Sequence, residues 1–447
     1  MVGLGLYLDG KNGDDPSQHR VITPSKCLLN PYLWGLDKER VGEVAGAGVS
    51  FFRKRLYFSG KFDKMNSGPS FGIVSFKIEG FRGIKNASVD GIPADTKWIF
   101  LTGKNGGGKT SVLQALFVGL FGARDKKMIL EDGVFNLFIS LLYEKTIYVK
   151  KTKGQVQGGS SGFKELPYEK MSQKILGYGV SRLNISVVDS DKNSQSYSLF
   201  NSDGILFSVE SVMKIWDYRS SSEELKKKNL VLAKRLKERV DLIKNMMLKL
   251  MPNLQKIEVD IEKDQVFYYE KDDEGNLLDE PKTFDQLASG NRSIIAMVGD
   301  MVIRLLEAHP DGFEPADLEG IVLIDELDVH LHPTWQKALP GLLSEIFPKI
   351  QFIASTHSPI PLLGAPKESV VLKVHQSSEA GITVEKLDID VSQLLPNSLL
   401  TSPIFDFEDI IPTANTDLED LHTEDNFEEA MANEAIKERL KKIAQTL

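Results

Sequence analysis

A single cysteine, Cys27, stands among 447 residues, which excludes an intrachain disulfide and any thiolate-rich metal site and suits a reducing compartment. Long apolar runs are also missing. Asp300 and Arg304 break the strongest candidate, residues 287–306, so no segment reads as a membrane span and no membrane partner is expected. The seven histidines are scattered. Only His330 and His332 sit close together, and with Asp328 they find no fourth ligand nearby, so zinc is not expected there. Basic charge is in deficit, 54 Lys and Arg against 63 Asp and Glu for a net charge of −9. That excludes a chain coated uniformly in positive charge for nucleic acid, though not a local basic patch. The first thirty residues lack the charged start, long apolar centre and cleavage site of a secretory leader, and a cytoplasmic location is the expectation.

With 41% hydrophobic and 26% charged residues, the composition is that of an ordinary soluble globular chain with room for two to four domains. Residues 1–70 show no clear period. From Ile73, "IVSFKIEGFRGIKNASV" alternates as a strand pair, and "KWIFLTG" (97–103) is a short buried strand running into a glycine loop. A helix is expected from Lys109, with Leu113, Leu116, Phe117 and Leu120 on one face. Further on, Leu232, Leu236, Val240, Ile243, Met247 and Leu250 recur in a heptad-like stripe, enough for one hairpin arm of roughly 25–30 residues. "KIEVDIEKDQVFYYEKDDEGN" reads as two strands. "GIVLIDELDVHLHP" (320–333) and "QFIASTHSP" (351–359) are strands that end in carboxylates and in a histidine. Strands alternating with helices predict a parallel sheet with its chemistry at the carboxyl ends. The tail from Asp406 to Glu429 holds ten acidic residues and neither Lys nor Arg.

"GKNGGGKTS" (103–111) fits G-x-x-x-x-G-K-[ST] between a buried strand and a helix. Gly103, Lys104, Asn105, Gly106, Gly107 and Gly108 let successive backbone N–H groups face phosphate oxygens, and Ser111 closes the loop in the first helical turn. Lys109 reaches the β- and γ-phosphates, and the Thr110 hydroxyl is placed to ligate Mg²⁺. Asp325 suits the second metal ligand, directly or through water. Glu326 suits the base beside an attacking water, and His357 a hydrogen bond to the γ-phosphate or to that water. "LASGNRSII" opens a helix on Ser289 and Gly290 with no acidic residue in its first turn. This is either an ordinary cap, with Ser289 accepting from the backbone, or an anion site.

These four features, in this order, resemble the α/β head of ABC-type ATPases, with "GKNGGGKT" as Walker A, "LASGN" as the signature loop, "IVLIDE" as Walker B and "STHSP" as the switch region. The resemblance implies ATP with Mg²⁺, and a homodimer or higher homo-oligomer in which Ser289 and Gly290 contact ATP held by a second subunit. Ala288 stands where that family commonly has a phosphate-contacting serine, so either Ser289 takes over the contact or hydrolysis is slow. The "HLHP" loop is unlike transporter heads and similar to the soluble RecF-like and OLD-like branch. "GYGVSRL" (177–183), "SLFNSDG" (198–204), "HLHPTWQ" and "LLPNSLLTSPIFDF" resemble the ATPases of Septu anti-phage systems and their retron-linked relatives over about residues 71–410.

On that resemblance the chain divides into an N-terminal extension (1–70), a Walker A half-head (71–150), a helical and β insertion (151–283), a second half-head (284–375) and a small acidic C-terminal extension (376–447), a possible docking site for a partner. The implied function is a sensor or scaffold ATPase controlling a separate HNH-type nuclease subunit. A RecF-like DNA-repair ATPase and a defence scaffold paired with a TOPRIM nuclease stay open as alternatives. Asp388 and Asp390 in "KLDID" lack the upstream element of a TOPRIM centre and read as strand-end carboxylates. The lysine-rich "EELKKKNLVLAKRLKERVDLIKNMMLKL" is either a solvated structural face or the local contact for DNA or retron nucleic acid. Gln155, Gln157 and Gln173 are the open choices for a Q-loop glutamine.

Overall fold

A computed structural model describes residues 71–121, 135–143, 146–154, 171–186, 197–272, 274–278, 280–309 and 314–405, with short pieces at 4–5, 21–22, 51–52, 69, 431–433, 435–436 and 439–440. The chain forms two compact units, 1–405 and 406–447. The described pieces of the second are helical.

Eleven strands of the first unit make one sheet. In chain order from Phe51 on, these eleven and the strands of two separate pairs are β1 (Phe51–Phe52), β2 (Phe71–Phe81), β3 (Ile84–Val89), β4 (Trp98–Thr102), β5 (Phe135–Tyr143), β6 (Thr146–Gly154), β7 (Ile175–Tyr178), β8 (Ile185–Ser186), β9 (Leu206–Phe207), β10 (Leu254–Asp260), β11 (Gln265–Glu270), β12 (Glu319–Ile324), β13 (Lys349–Ser355), β14 (Val370–Ser377) and β15 (Gly381–Leu387), the separate pairs being β8-β9 and β10-β11. The large sheet runs β1-β6-β5-β2-β3-β15-β14-β4-β13-β12-β7. Its β14-β4-β13-β12-β7 half is parallel, and the rest is antiparallel. β4 is buried along its whole length, β12 and β13 from their second residue on, as expected of strands covered on both faces.

Among the described residues the helices of six residues or more are α1 (Lys109–Phe121), α2 (Val209–Ser221), α3 (Glu223–Lys228), α4 (Leu230–Leu250), α5 (Ser289–Ala308) and α6 (Pro333–Ile346). Every residue of α1 from Val112 to Phe121 is buried, because the antiparallel strands fold over it. Ile78, Phe81, Leu137 and Ile139 cover one side and Ile321 and Ile353 the other. A helix apolar all round is stable only when enclosed in this way. The opposite face of the parallel strands carries a second core built from α4, α5 and α6 with β10 and β11.

Three sequence expectations change here. The heptad stripe does not form one long arm. Asn229 caps α4 with its side chain on the Leu232 amide, and Ser222 caps α3, so α4 spans 21 residues, about 32 Å. Its Leu236, Val240, Ile243, Met247 and Leu250 pack into the chain's own core. The boundary at 150/151 falls inside β6, and β7, within the expected insertion, is a strand of the head's sheet. The boundary at 375/376 falls inside β14, and the sheet continues through β15. In each case strand pairing reaches further along the chain than composition indicates.

The antiparallel and parallel halves are joined by one buried amide. Gln351 of β13 is fully buried, accepts from the Ile73 N–H at 2.7 Å and donates to the carbonyls of Ile73 (3.3 Å) and Thr96 (3.1 Å). Gly72 permits the approach, since a Cβ there would meet Gln351 Nε2 at 2.8 Å. Gln351→Leu should lower the unfolding free energy by about 2–4 kcal/mol, because buried peptide groups lose their partners. The shift in denaturation midpoint measures this, and a loss under about 0.5 kcal/mol would mean that other groups satisfy them.

Candidate functional site

Four segments converge at the carboxyl ends of the parallel strands: the loop after β4, the ends of β12 and β13, and the turn after β7. In the first, Gly103, Gly106 and Gly108 adopt φ of +135°, +75° and +98°, a region that side-chain-bearing residues rarely enter. A Cβ on Gly103 would strike the Val374 carbonyl at 2.2 Å, whereas one on Gly106 would stand in open space over the loop. The loop is thus packed from behind and empty in front, a cradle for a group that approaches backbone closely. Helix α1 begins directly at Lys109 with no acidic residue in its first turn, which leaves N–H groups and the positive end of the helix to an anion.

An open pocket of about 500 Å³ lies over this loop, lined by residues 105–111 with Asp325, Glu326 and His357. Gly103 and Lys104 stand behind it, their carbonyls accepting from Lys109 Nζ at 2.7 and 3.1 Å. Thr110 Oγ1 donates to Asp325 Oδ2 at 2.7 Å, and Ser355 Oγ donates to Asp325 Oδ1 at 2.6 Å. A hydroxyl and a carboxylate so paired suit a hard divalent cation such as Mg²⁺, which takes one or two protein oxygens and keeps waters. Thr110 and Asp325 would hold it, and once bound it would neutralise charge on phosphate oxygens. Lys109 is buried, which lowers its pKa, while Asp325, Glu326 and Asp328 oppose that shift.

Glu326 sits at φ +49°, a left-handed turn that reverses the chain as it leaves β12. Its amide donates to Ser355 Oγ at 2.8 Å, and its carboxylate lies 3.8 Å from His357 Nε2. His357 Nδ1 meets Lys109 Nζ at 3.1 Å. A charged lysine can only donate there, so the ring proton belongs on Nε2, on the side of Glu326. Behind the site Thr356 Oγ1 donates to Asp328 at 2.6 Å, and Ser358 Oγ to Gln336 at 2.8 Å, so the switch strand and the "HLHPTWQ" loop hold each other.

The signature helix departs from the ordinary-cap alternative. Ala288 is the N-cap, with no side-chain hydrogen bond, and Ser289 is exposed in the first turn. Neither Ser289 nor Gly290 lines the pocket. Gly290 is packed against the chain's own "HLHP" loop, where a Cβ would meet the His330 carbonyl at 3.0 Å.

Other sequence candidates resolve differently. Gln155 and Gln157 lie outside the described residues, and Gln173 precedes β7, at the end of the parallel strands opposite the pocket. His332 caps α6 and His330 is exposed; no cluster of metal-ligating residues occurs among the described residues. Asp390 caps a turn through Ser392 and Gln393. The α3–α4 lysines pair with their own neighbours, Lys226 with Glu223, Lys228 with Glu224 and Lys237 with Asp217, as on a solvated face. Two residues that sequence reading passed over contact the Walker B turn, Ser355 and the buried Arg182. "GYGVSRL" contained the second, but only its tertiary partners reveal a role.

The geometry brings a glycine cradle, Lys109, a hydroxyl–carboxylate pair, Glu326 and His357 around one pocket at the carboxyl ends of parallel strands. Residues 181–361 match a family model described as an AAA domain, putative AbiEii toxin, of a type IV toxin–antitoxin system. The chain is similar to the Septu protein PtuA of Bacillus mycoides (strain KBAB4), 28% identical over 77% of this chain and 46% of that protein. It is also similar to the retron Vc95 probable ATPase of Vibrio cholerae serotype O1 biovar El Tor, 45% identical over 19% of this chain and 16% of that one. An Smc head domain bound to the C-terminal domain of ScpA, from Pyrococcus furiosus, aligns at 14% identity and TM-score 0.43 over 71% of this chain and 96% of that one. The chain therefore spans less than half the length of these curated relatives. By sequence the chain is thus similar to Septu and retron ATPases, and over residues 181–361 to the AAA-domain family model. Among the described residues no helix is long and apolar enough to cross a membrane.

Burial, and then the charge of Lys109, hold the His357 pKa below its ordinary 6.5, so the ring is neutral at pH 7. Replacing Lys109 by Met should raise that pKa, read from the ring protons by NMR. An unchanged value would show that the two groups do not share the site.

Proposed function

We propose that this chain binds and hydrolyses MgATP, that two copies close around two ATP molecules, and that closure controls a separate HNH-type nuclease subunit in anti-phage defence. One observation carries the reading: Lys109, Thr110, Asp325, Glu326 and His357 meet around a single pocket over a glycine cradle. Lys109 meets the charge of the β- and γ-phosphates, with the loop N–H groups behind it. Glu326 accepts the proton of the attacking water, and His357 orients that water or the terminal phosphate. The exposed start of α5 does not line its own pocket and offers Ser289 and first-turn N–H groups to the ATP of a partner copy. The nuclease partner and the role in defence rest on similarity to the Septu and retron ATPases.

Glu326→Gln keeps shape and removes the base, so ATP binding should persist while turnover falls about 10²-fold or more. Full hydrolysis by this variant would move the base elsewhere. For the shared site, Ser289→Asp is the sharper change. An acidic residue in the first turn suits the helix dipole of its own chain and opposes a phosphate from another. Each Ser289→Asp subunit should bind ATP, while ATP-driven association and hydrolysis fail. Mixed with Lys109→Ala, it should recover part of the hydrolysis, since one composite site then joins an intact P-loop to an intact turn. Loss of ATP binding in Ser289→Asp alone would put the turn in its own chain's pocket and overturn the sandwich.

A further inference from the structure

Arg182 lies just beyond β7, in the turn "GVSR", and is 2% exposed. One of its nitrogens, Nη2, donates to two consecutive backbone carbonyls, those of Asp325 at 2.5 Å and Glu326 at 2.7 Å, while Nε donates to the Gly179 carbonyl at 3.3 Å. A guanidinium buried this deeply would ordinarily be matched to a carboxylate. Here its hydrogen bonds go to peptide oxygens, and burial draws its pKa down to about 10 against the opposing pull of Asp325, Asp328 and Glu326. It therefore stays charged at pH 7, and its Nη2 donors are spent on the one turn that carries the base.

That turn needs holding. Glu326 is a side-chain-bearing residue at φ +49°, a conformation that persists only where its surroundings impose it. On the β13 side, Ser355 takes the Glu326 amide through its hydroxyl and the Leu327 amide through its carbonyl. On the β7 side Arg182, itself anchored on the Gly179 carbonyl, is bonded to both carbonyls, that of Glu326 also accepting from the Val329 amide at 3.1 Å, and the Tyr178 carbonyl accepts from the Asp325 amide at 2.8 Å.

We propose that Arg182 is a positioning residue for the base: by gripping the Asp325 and Glu326 carbonyls it holds the left-handed turn that aims the Glu326 carboxylate into the pocket beside His357. It touches neither the pocket nor the nucleotide and acts through Glu326. The proposal rests on the ATPase reading above.

Its test is a double-variant cycle on the full chain, with Arg182→Met and Arg182→Lys each made with and without Glu326→Gln, reading ATP affinity and steady-state kcat separately. Arg182→Met should bind ATP within about threefold of the parent while kcat drops by about 10- to 100-fold, the cost of a displaced catalytic group. Arg182→Lys should recover part of the loss, since an ammonium can serve one of the two carbonyls. Adding Glu326→Gln to Arg182→Met should cost little more, because a base already out of place has little left to lose. A purely structural arginine predicts the opposite: the two losses multiply, or kcat and affinity fall together. Either result overturns the proposal, as does a parental kcat in Arg182→Met. If Arg182→Met fails to fold, the same cycle on Arg182→Lys decides. If Glu326→Gln alone leaves turnover intact, the assignment of the base fails; if it abolishes turnover while both Arg182 variants turn over normally, only the positioning role fails.

Discussion

The arrangement depends most on the grip around one carboxylate, that of Asp325, where β12 ends. Its two oxygens take hydroxyls from different elements, Thr110 of α1 and Ser355 of β13. Its amide is bonded to the Tyr178 carbonyl of β7 and its own carbonyl to Arg182. Three segments distant in sequence are thereby fixed to one residue that is 4% exposed. A buried carboxylate is tolerable only when so satisfied, and satisfying it brings the P-loop helix, the switch strand and the turn after β7 to one place. His357 needs no separate device to reach the pocket, since it closely follows a strand that Asp325 ties down, whereas the Glu326 turn is held in addition by Arg182 and Ser355.

Buried polar groups do the same work elsewhere in the first unit. Gln351 stitches the antiparallel strands to the parallel ones. In the middle of α5, Asp300 is fully buried, accepts from Tyr178 Oη at 2.8 Å, from Arg304 Nε at 2.7 Å and from the Phe207 amide at 2.9 Å. Arg304 also lies over the Phe207 ring at 4.5 Å. Such contacts add little net stability compared with apolar packing. They do fix register: a one-turn slip of α5 would take Asp300 away from Tyr178 and the Phe207 amide and leave the buried carboxylate with Arg304 alone, at a cost of about 1–3 kcal/mol per lost donor.

How much of this was legible depended on whether a feature is local. The P-loop was legible residue by residue, because glycines at positive φ between a buried strand and a helix are set by neighbours in the chain. The strands ending at Asp325 and at His357 were legible from apolar runs followed by polar residues. The start of α5 was half legible: the absence of acidic residues was plain, but the cap falls on Ala288 rather than Ser289, because the helix begins one residue earlier than a Ser289 cap would place it. Strand β7, "ILGY", is four residues long and becomes a strand only by pairing with β12, which no local pattern encodes. The heptad stripe of α4 was real as periodicity, but whether an apolar face meets a partner helix or its own core is a tertiary matter. Asp300 and Arg304, read along the sequence as charges interrupting an apolar helix, are in space a pair that the interior requires.

Helix α5 joins these observations. Its first turn is uncapped and exposed at Ser289, packed from behind by the His330 carbonyl at Gly290, and its body is buried and charge-locked to Tyr178 through Asp300. From Tyr178 the path continues through the backbone to the Asp325 amide, and from Gly179 through Arg182 to the carbonyl of Glu326. Loss of the Tyr178–Asp300 bond would leave a buried carboxylate and a buried phenol each short of a partner, so the middle of α5 and the end of β7 are held to each other. The helix and the strand end that bonds the Asp325 amide are thus joined by side chains whose removal would leave the fold with unsatisfied buried groups.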